Sequence, residues 1–379
     1  MSRILSGLKN GIGNILNFNI GEAQNMLIKG FYFRTLVVIF LFFFCILTNS
    51  CKDNNNNFRK NIPSGALNKK LVRICKNGYW GFIDVESIQN ISIGIPAKFD
   101  CVGNFSEGLA FFVEDGKEKG EVKFGFINEN GTIVIEAAYL RARPFNEGLA
   151  WVVRKDSLGG YINKNNKFVI KPKFKYGGKF NEGLAPVTEG KKWGFINRRG
   201  KYIIEPRFYG AGYFSESKAP VDIDKNDWGY IDKAGNIIIK PDYHSAGSFS
   251  EGLAKVITKS GWKTKYKNKV EEMGLRTKKG YKTGYIDASG KMKIPPKFRW
   301  GQAFSEGYAS VGIIDGEKDE DCGYINNKGK FIIGPKFSSV SKFKHGVALV
   351  SVKAKEYTKE KPVYKYFYIN KKGQKVFEP

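Results

Sequence analysis

Histidine is nearly missing from this chain: only His244 and His345 occur, about a hundred residues apart, and neither has a Cys or His at ligand spacing. No metal or other cofactor is expected. No Ser-His-Asp order stands in a nucleophile-elbow context, no glycine loop suited to cradling phosphate appears, and Asp319-Glu320-Asp321 reads as turn charge. No catalytic residue is assigned, and the chain is not expected to be an enzyme. Cysteine is scarce as well. Of the five, Cys45 lies in an apolar stretch and Cys51 opens a polar one, which leaves Cys75, Cys101 and Cys322. An odd number implies no disulfide framework; a Cys75–Cys101 pair or burial as ordinary core residues both remain open. Proline is low at 13, while 44 Gly, 15% aromatic and 42% apolar residues describe a folded, turn-rich chain with an aromatic core and exclude a disordered tail. Acidic residues are outnumbered 36 to 63 by Lys and Arg, for a net charge of +27.

Long hydrophobic runs are lacking too. Residues 35–47 (TLVVIFLFFFCIL) are uncharged for 13 residues, too short for a confident membrane span and the right length for the apolar region of a signal peptide. Lys29 and Arg34 supply the positive charge before it. Downstream, Leu47-Thr48-Asn49-Ser50-Cys51 leads into Lys52-Asp53 and four Asn. This arrangement resembles a bacterial lipoprotein signal, in which the Cys becomes the lipidated amino terminus. The box departs from the usual one in that Thr48, not Leu, stands three residues before Cys51. The resemblance implies lipidation at Cys51, an envelope location on the outer or cytoplasmic membrane, and a face toward the periplasm or exterior; an uncleaved amino-terminal anchor helix is the alternative. A start at Met26 would give a signal of ordinary length and leave residues 1–25 untranslated. The organisation expected is a signal or anchor region 1–50, a polar tether 51–70 and a folded part 71–379. Without residues 1–50, which carry +3 through Arg3, Lys9, Lys29, Arg34 and Glu22, the charge is still +24. Such an excess favours acidic partners and opposes self-association, so a monomer is expected.

Within 71–379 one phrase recurs eight times, among them Trp80-Gly81-Phe82-Ile83-Asp84, Trp193-Gly194-Phe195-Ile196-Asn197 and Cys322-Gly323-Tyr324-Ile325-Asn326, ending with Tyr368-Ile369-Asn370. The aligned glycines are 81, 125, 160, 194, 229, 284 and 323, a period near 35 with insertions. A second phrase, Phe-Ser-Glu-Gly-Leu-Ala, recurs at 105–110, 145–150, 180–185, 214–219, 249–254, 304–309 and, degraded, 343–348. A third reads Ile-x-Pro-Lys-Phe, as at Ile170-Lys171-Pro172-Lys173-Phe174. Three motifs in fixed order resemble the WG-repeat family, also called KWG repeats. Length alone would suggest two or three domains, but repeats share one continuous core and override that prior.

Each unit reads as a β-meander. Leu184 to Val187 is one strand, Lys192 to Asn197 a second, and Tyr202 to Ile204 a third that Pro206 stops. Phe168-Val169-Ile170 and Ile237-Ile238-Ile239 are apolar on both faces, which predicts sheets stacked face against face. The recurring Gly is expected to let a neighbouring unit's aromatic ring lie against the backbone. The Asp or Asn ending each phrase caps the following turn, and the Glu of Phe-Ser-Glu-Gly is positional in the same way. The fold class expected is all-β, about eight stacked meanders in a β-propeller-like array, with an open β-solenoid as the alternative. The Phe-Ser-Glu-Gly-Leu-Ala turn resembles the one between the first two strands of propeller blades, and a strand at 176–180 would make four per unit. Tyr368 in place of the glycine argues for a last unit without a neighbour.

One step of 55 residues breaks the period and inserts about twenty residues at 258–282. The insertion holds Lys263, Lys265, Lys267, Lys269, Lys278 and Lys279, further cations including Lys282, and the aromatics Trp262 and Tyr266. Cations beside exposed rings suit an anionic polysaccharide or another acidic polymer, so these residues are the candidate ligand site. The function expected is a surface lipoprotein that binds or adheres to an anionic polymer or a protein partner. An envelope structural protein and a polysaccharide-acting enzyme with carboxylates in a propeller channel are the alternatives.

Overall fold

The computed structural model describes residues 69–379 apart from 77, 116–121, 155–157, 259–281, 314–321, 355–363 and 379. The segment 1–50, Cys51, nearly all of the tether and the body of the insertion lie outside the described residues. Every regular element described is an antiparallel β-strand.

The fourth unit shows the pattern. Tyr176–Gly177, Leu184–Thr188, Trp193–Asn197 and Tyr202–Phe208 pair in that order into a four-stranded sheet, here called a blade with strands a to d. Asn197 closes the c–d turn because its Oδ1 accepts the N–H groups of Arg199 and Lys201 at 3.0 and 3.1 Å. The same Asx cap recurs at Asn128, Asn163, Asp232, Asp287, Asn326 and Asn370, as the sequence predicts. Eight blades follow one another, at 71–99, 101–139, 141–174, 176–208, 210–243, 245–298, 300–337 and 339–377. The first has three strands. One long strand, Ile237–Ala246, is strand d of blade 5 and runs on into strand a of blade 6.

Each apolar cluster straddles two successive blades. Trp151, Tyr161 and Phe174 of blade 3, for example, pack on Phe180, Val187 and Ile196 of blade 4. An open row of eight sheets has seven such interfaces, whereas here there are eight. The last joins Val347 and Tyr368 of blade 8 to Ile74, Ile83 and Val85 of blade 1. The Tyr368 hydroxyl also donates to the Arg73 carbonyl, 295 residues away. The ring is therefore closed, as a propeller, and by side-chain packing, because no strand of blade 8 pairs with blade 1 among the described residues. Tyr368 is thus no cap without a neighbour. The register places Phe367 at the glycine position, opposite Val350 as Gly323 is opposite Val311, and gives Tyr368 the place of Tyr324.

The recurring glycine has a different role from the one expected. In blade 4, Phe195 pairs with Ile204 and Trp193 with Phe208, so strand d carries two extra residues that bulge over Gly194. A Cβ on Gly194 would lie 2.6 Å from the Ile204 carbonyl oxygen and 2.8 Å from the Pro206 nitrogen. The same sheet's backbone fills that space, where a neighbour's ring was expected. Pro206 likewise does not stop the strand. It sits in the bulge, where no ladder N–H is required of it. Nor is strand d buried on both faces: Ile170 and Ile239 enter the core, while Val169 and Ile238 are 50% and 44% exposed at the rim. Among the described residues no disulfide forms: Cys75 and Cys101 are half-buried, and Cys322 is buried in the core.

The Phe-x-Glu-Gly turns link the blades. Glu147 of blade 3 accepts the Gly183 N–H of blade 4 at 3.0 and 3.1 Å. Glu107, Glu182, Glu216, Glu251 and Glu306 reach the corresponding amide of the next blade in the same way. The glutamate is therefore a latch between units and not a cap of its own turn. Ser or Asn before it adds a second link, since Ser106, Ser250 and Ser305 donate to the Phe carbonyl of the following blade. In blade 8 the latch position holds His345, whose successor would be blade 1, which has no Phe-x-Glu-Gly turn.

Candidate functional site

In the recurring phrase the Phe of blades 3 to 8 is buried between blades, as Phe180 at 0% and Phe249 at 1% show, and Phe105 of blade 2 is partly buried. In blades 4 to 8 the residue before it, just past strand a, faces a cavity instead. That position holds Lys179, Tyr213, Ser248, Ala303 and Lys342 in blades 4 to 8. All five line one cavity of about 440 Å³. Its wall is built by five consecutive blades, so it is the axial opening of the ring on the side of the latch turns. Lys255 of blade 6 joins them by a local device. It lies opposite Gly247, whose missing side chain leaves room for the Lys255 stem: a Cβ there would be 3.0 Å from Lys255 Cγ. Asn181, Ser215, Ser250 and Gln302 complete the polar part of the lining.

Lys179, Lys255 and Lys342 thus converge from blades 4, 6 and 8. Burial pushes the pKa of each below the ordinary lysine value. Lys342 is lowered further by the charges of Lys255 and Lys179, while Glu147 offsets part of the effect at Lys179. The Lys179 ammonium lies 5.5 Å from the centre of the Tyr213 ring. Among the described residues none of the three forms an ion pair, and the lining contains no Asp or Glu. Half-desolvated cations with no carboxylate in the lining beside them are unfavourable by themselves and become favourable when an anion binds. Arg73 is different. It stacks 5.5 Å from Trp80 and donates to the Val102 carbonyl at 3.2 Å, so it serves the junction of blades 1 and 2.

The sequence-predicted ligand residues Lys263, Lys265, Lys267, Lys269, Lys278, Lys279, Trp262 and Tyr266 lie outside the described residues, as does Cys51. The flanks of the insertion are described. Thr258 ends strand b and Thr283 begins strand c of blade 6, on the side of the ring away from the latch turns, and the Thr258 N–H donates to the Lys282 carbonyl at 3.3 Å. Lys282, expected among the exposed cations, is buried. Sequence reasoning missed Lys179, Lys255 and Lys342. The available signal was the residue before each recurring Phe, which is Lys twice and never acidic. Among the described residues, no three His, Cys, Asp or Glu side chains gather as a metal site.

The profile described as the WG containing repeat matches residues 92–117, 124–157, 160–193, 193–226, 228–262, 284–313 and 323–355, well over half of the chain. The chain belongs to the WG-repeat family. The WG-repeat ring is similar in fold to a solved eukaryotic initiation factor, with a TM-score of 0.50, 12% identity, and coverage of 83% of this chain and 89% of that one. It is also similar to BamB from Moraxella catarrhalis (TM-score 0.42, 11% identity, 77% and 96% coverage). The β-propeller domain of the trilobed protease from Pyrococcus furiosus gives 0.44 at 10% identity, covering 75% and 97%. These likenesses concern the fold alone. Comparison with curated proteins returns no significant match.

Proposed function

We propose that this WG-repeat propeller is a binding module for an anionic polymer, which engages the axial cavity. One observation carries the reading: three lysines from separate blades share a partly desolvated cavity with no carboxylate in its lining. The net charge of +27 draws acidic ligands toward the ring at long range. Binding is proposed in place of catalysis because glycoside hydrolysis uses a carboxylate pair, whereas this lining supplies ammonium, hydroxyl and amide groups. The lysines of the insertion are a second candidate ligand site in the same proposal, and lipidation of Cys51 would hold the module at the cell envelope.

The test is retention on immobilised heparin across a salt gradient. A Lys179→Ala/Lys255→Ala/Lys342→Ala variant is expected to elute at markedly lower salt, and a variant with alanine at the six insertion lysines supplies the comparison. Unchanged elution of a folded axial variant overturns the assignment of the cavity. Intact-mass measurement on the native protein tests the anchor, with a diacylated or triacylated chain beginning at Cys51 as the expected result.

A further inference from the structure

The axial cavity has features that narrow its ligand, given the reading of it as an anion site. Its volume of about 440 Å³ lies in the range of small-molecule pockets, roughly 300–1,000 Å³, and suits one substituted ring better than a length of polymer. Its cations stand on alternate blades of an eight-membered ring, so they approach from three directions spread over half the circumference. A ligand with several anionic groups fanned around a ring matches that arrangement better than one simple anion does. Much of the remaining polar lining is already engaged. Ser248 donates to the Tyr213 carbonyl, Ser250 to the Phe304 carbonyl and Asn181 to the Phe214 carbonyl. The lysine ammonium groups are therefore the main donors left for a ligand, and they read charge and its spacing more than a pattern of sugar hydroxyls. Tyr213, beside Lys179 and packed where Gly178 has no side chain, offers a ring face to the body of such a ligand.

We infer that the axial cavity is a receptor for one compact ring bearing several phosphate or sulfate esters, free or as the end of a polymer chain. The polymer's internal stretches then contribute little. The inference rests on the anion-site reading above, and the following titrations separate the two.

The folded full chain is titrated calorimetrically with inositol hexakisphosphate, inorganic phosphate, a fully sulfated heparin disaccharide and heparin oligosaccharides of rising length. Expected are one site per chain for the hexakisphosphate, at least a hundredfold weaker binding of inorganic phosphate, and about a tenfold loss for Lys255→Met or Lys342→Met, as for removing one charged hydrogen bond. Displacement of the hexakisphosphate by the disaccharide, with affinity per chain that then stays flat as oligosaccharides lengthen, identifies the polymer end as a source. Failure of the disaccharide to displace it assigns the site to free ring polyphosphates. If long heparin binds through the three lysines but neither compact probe competes, or affinity climbs steadily with length, the inference fails and the anion-site reading stands. If no probe binds, or binding ignores all three lysines, both fail. Thermal midpoints of the Lys→Met variants at or above the parent's exclude misfolding as the cause of any loss.

Discussion

Two glycines of blade 4, eleven residues apart, should respond differently to alanine. Gly194 has its Cβ space taken by three backbone atoms, at 2.6 Å (Ile204 O), 2.8 Å (Pro206 N) and 3.0 Å (Glu205 C). Overpacking in a core typically costs about 1–3 kcal/mol, and here the obstacle is a bulge pinned between Ile204 and Phe208 that cannot rotate aside. Gly194→Ala is expected to destabilise by about 3 kcal/mol or more. Gly183 has φ of +85° and nothing within 4 Å of its virtual Cβ. Its alanine variant meets only the left-handed backbone penalty of about 1–2 kcal/mol, partly offset by about 0.4–1 kcal/mol from a stiffer unfolded chain. Blade 5 already carries Ser217 at that position with φ of +63°. Guanidinium unfolding followed by tryptophan fluorescence gives the two losses, and hydrogen exchange of the blade 4 amides shows whether damage is confined to strand d. Equal losses would refute the bulge as the reason for the repeated glycine. Phe367 is the internal control, since among the described residues strand d of blade 8, Lys375–Phe377, pairs with Tyr368 and Ile369 and leaves Phe367 unpaired on that side.

Glu147→Ala, which removes the acceptor for the Gly183 N–H, is expected to cost about 2 kcal/mol in urea unfolding, and Glu147→Gln about half of that because an oxygen acceptor remains. Acid should undo the Glu182 latch. Burial works against Glu182 ionisation, but the Ser217 amide and the Lys233 ammonium outweigh it and hold its pKa below the ordinary 4.5. Its contribution is therefore complete above pH 4.5 and lost as pH falls through the lower folded value; the thermal midpoint should drop in that window, and less so in Glu182→Gln. Tyr324→Phe loses the hydrogen bond to the Ser341 carbonyl (2.8 Å) and is expected to cost about 1 kcal/mol by the same urea assay. Lys342→Met removes a cation disfavoured by burial and by Lys255 and Lys179, so the unliganded ring should melt higher, with the gain shrinking in added salt.

The period, the meander, the Asx-capped turns and the stacking of sheets were all legible in the sequence, because each is written several times and physical requirements repeat with the unit. The glycine's partner was not legible. A bulge of two residues is invisible until the pairing of Phe195 with Ile204 and Trp193 with Phe208 is known, and without it Pro206 reads as a stop. The last unit misled for a related reason: Phe367 holds its glycine position, and its tyrosine is the residue that docks on the Arg73 carbonyl and closes the ring. The cavity was illegible because Lys179, Lys255 and Lys342 are distant in sequence and meet only through ring closure. In a chain with 63 Lys and Arg, three more lysines give no contrast.

This contrast between repeated and unrepeated positions bears on function. Phe180 fills the blade interface, Asn181 and Glu182 link to the next blade, and Tyr161 donates to the Gly178 carbonyl at 2.9 Å, so each residue of the repeated phrases has a partner inside the ring. Recurrence in this chain therefore marks assembly. A ligand is recognised by positions that vary from blade to blade, and the residue before each Phe is such a position, reading Asn104, Pro144, Lys179, Tyr213, Ser248, Ala303 and Lys342 in turn. Specificity follows from which blades carry a cation there. Moving a lysine from blade 8 to blade 7, as in Lys342→Ala/Ala303→Lys, keeps the net charge and the fold but changes the fan of positive groups. The double variant should keep its retention on long heparin and lose affinity for a compact ring polyanion, whereas a site governed by charge alone would bind both as before.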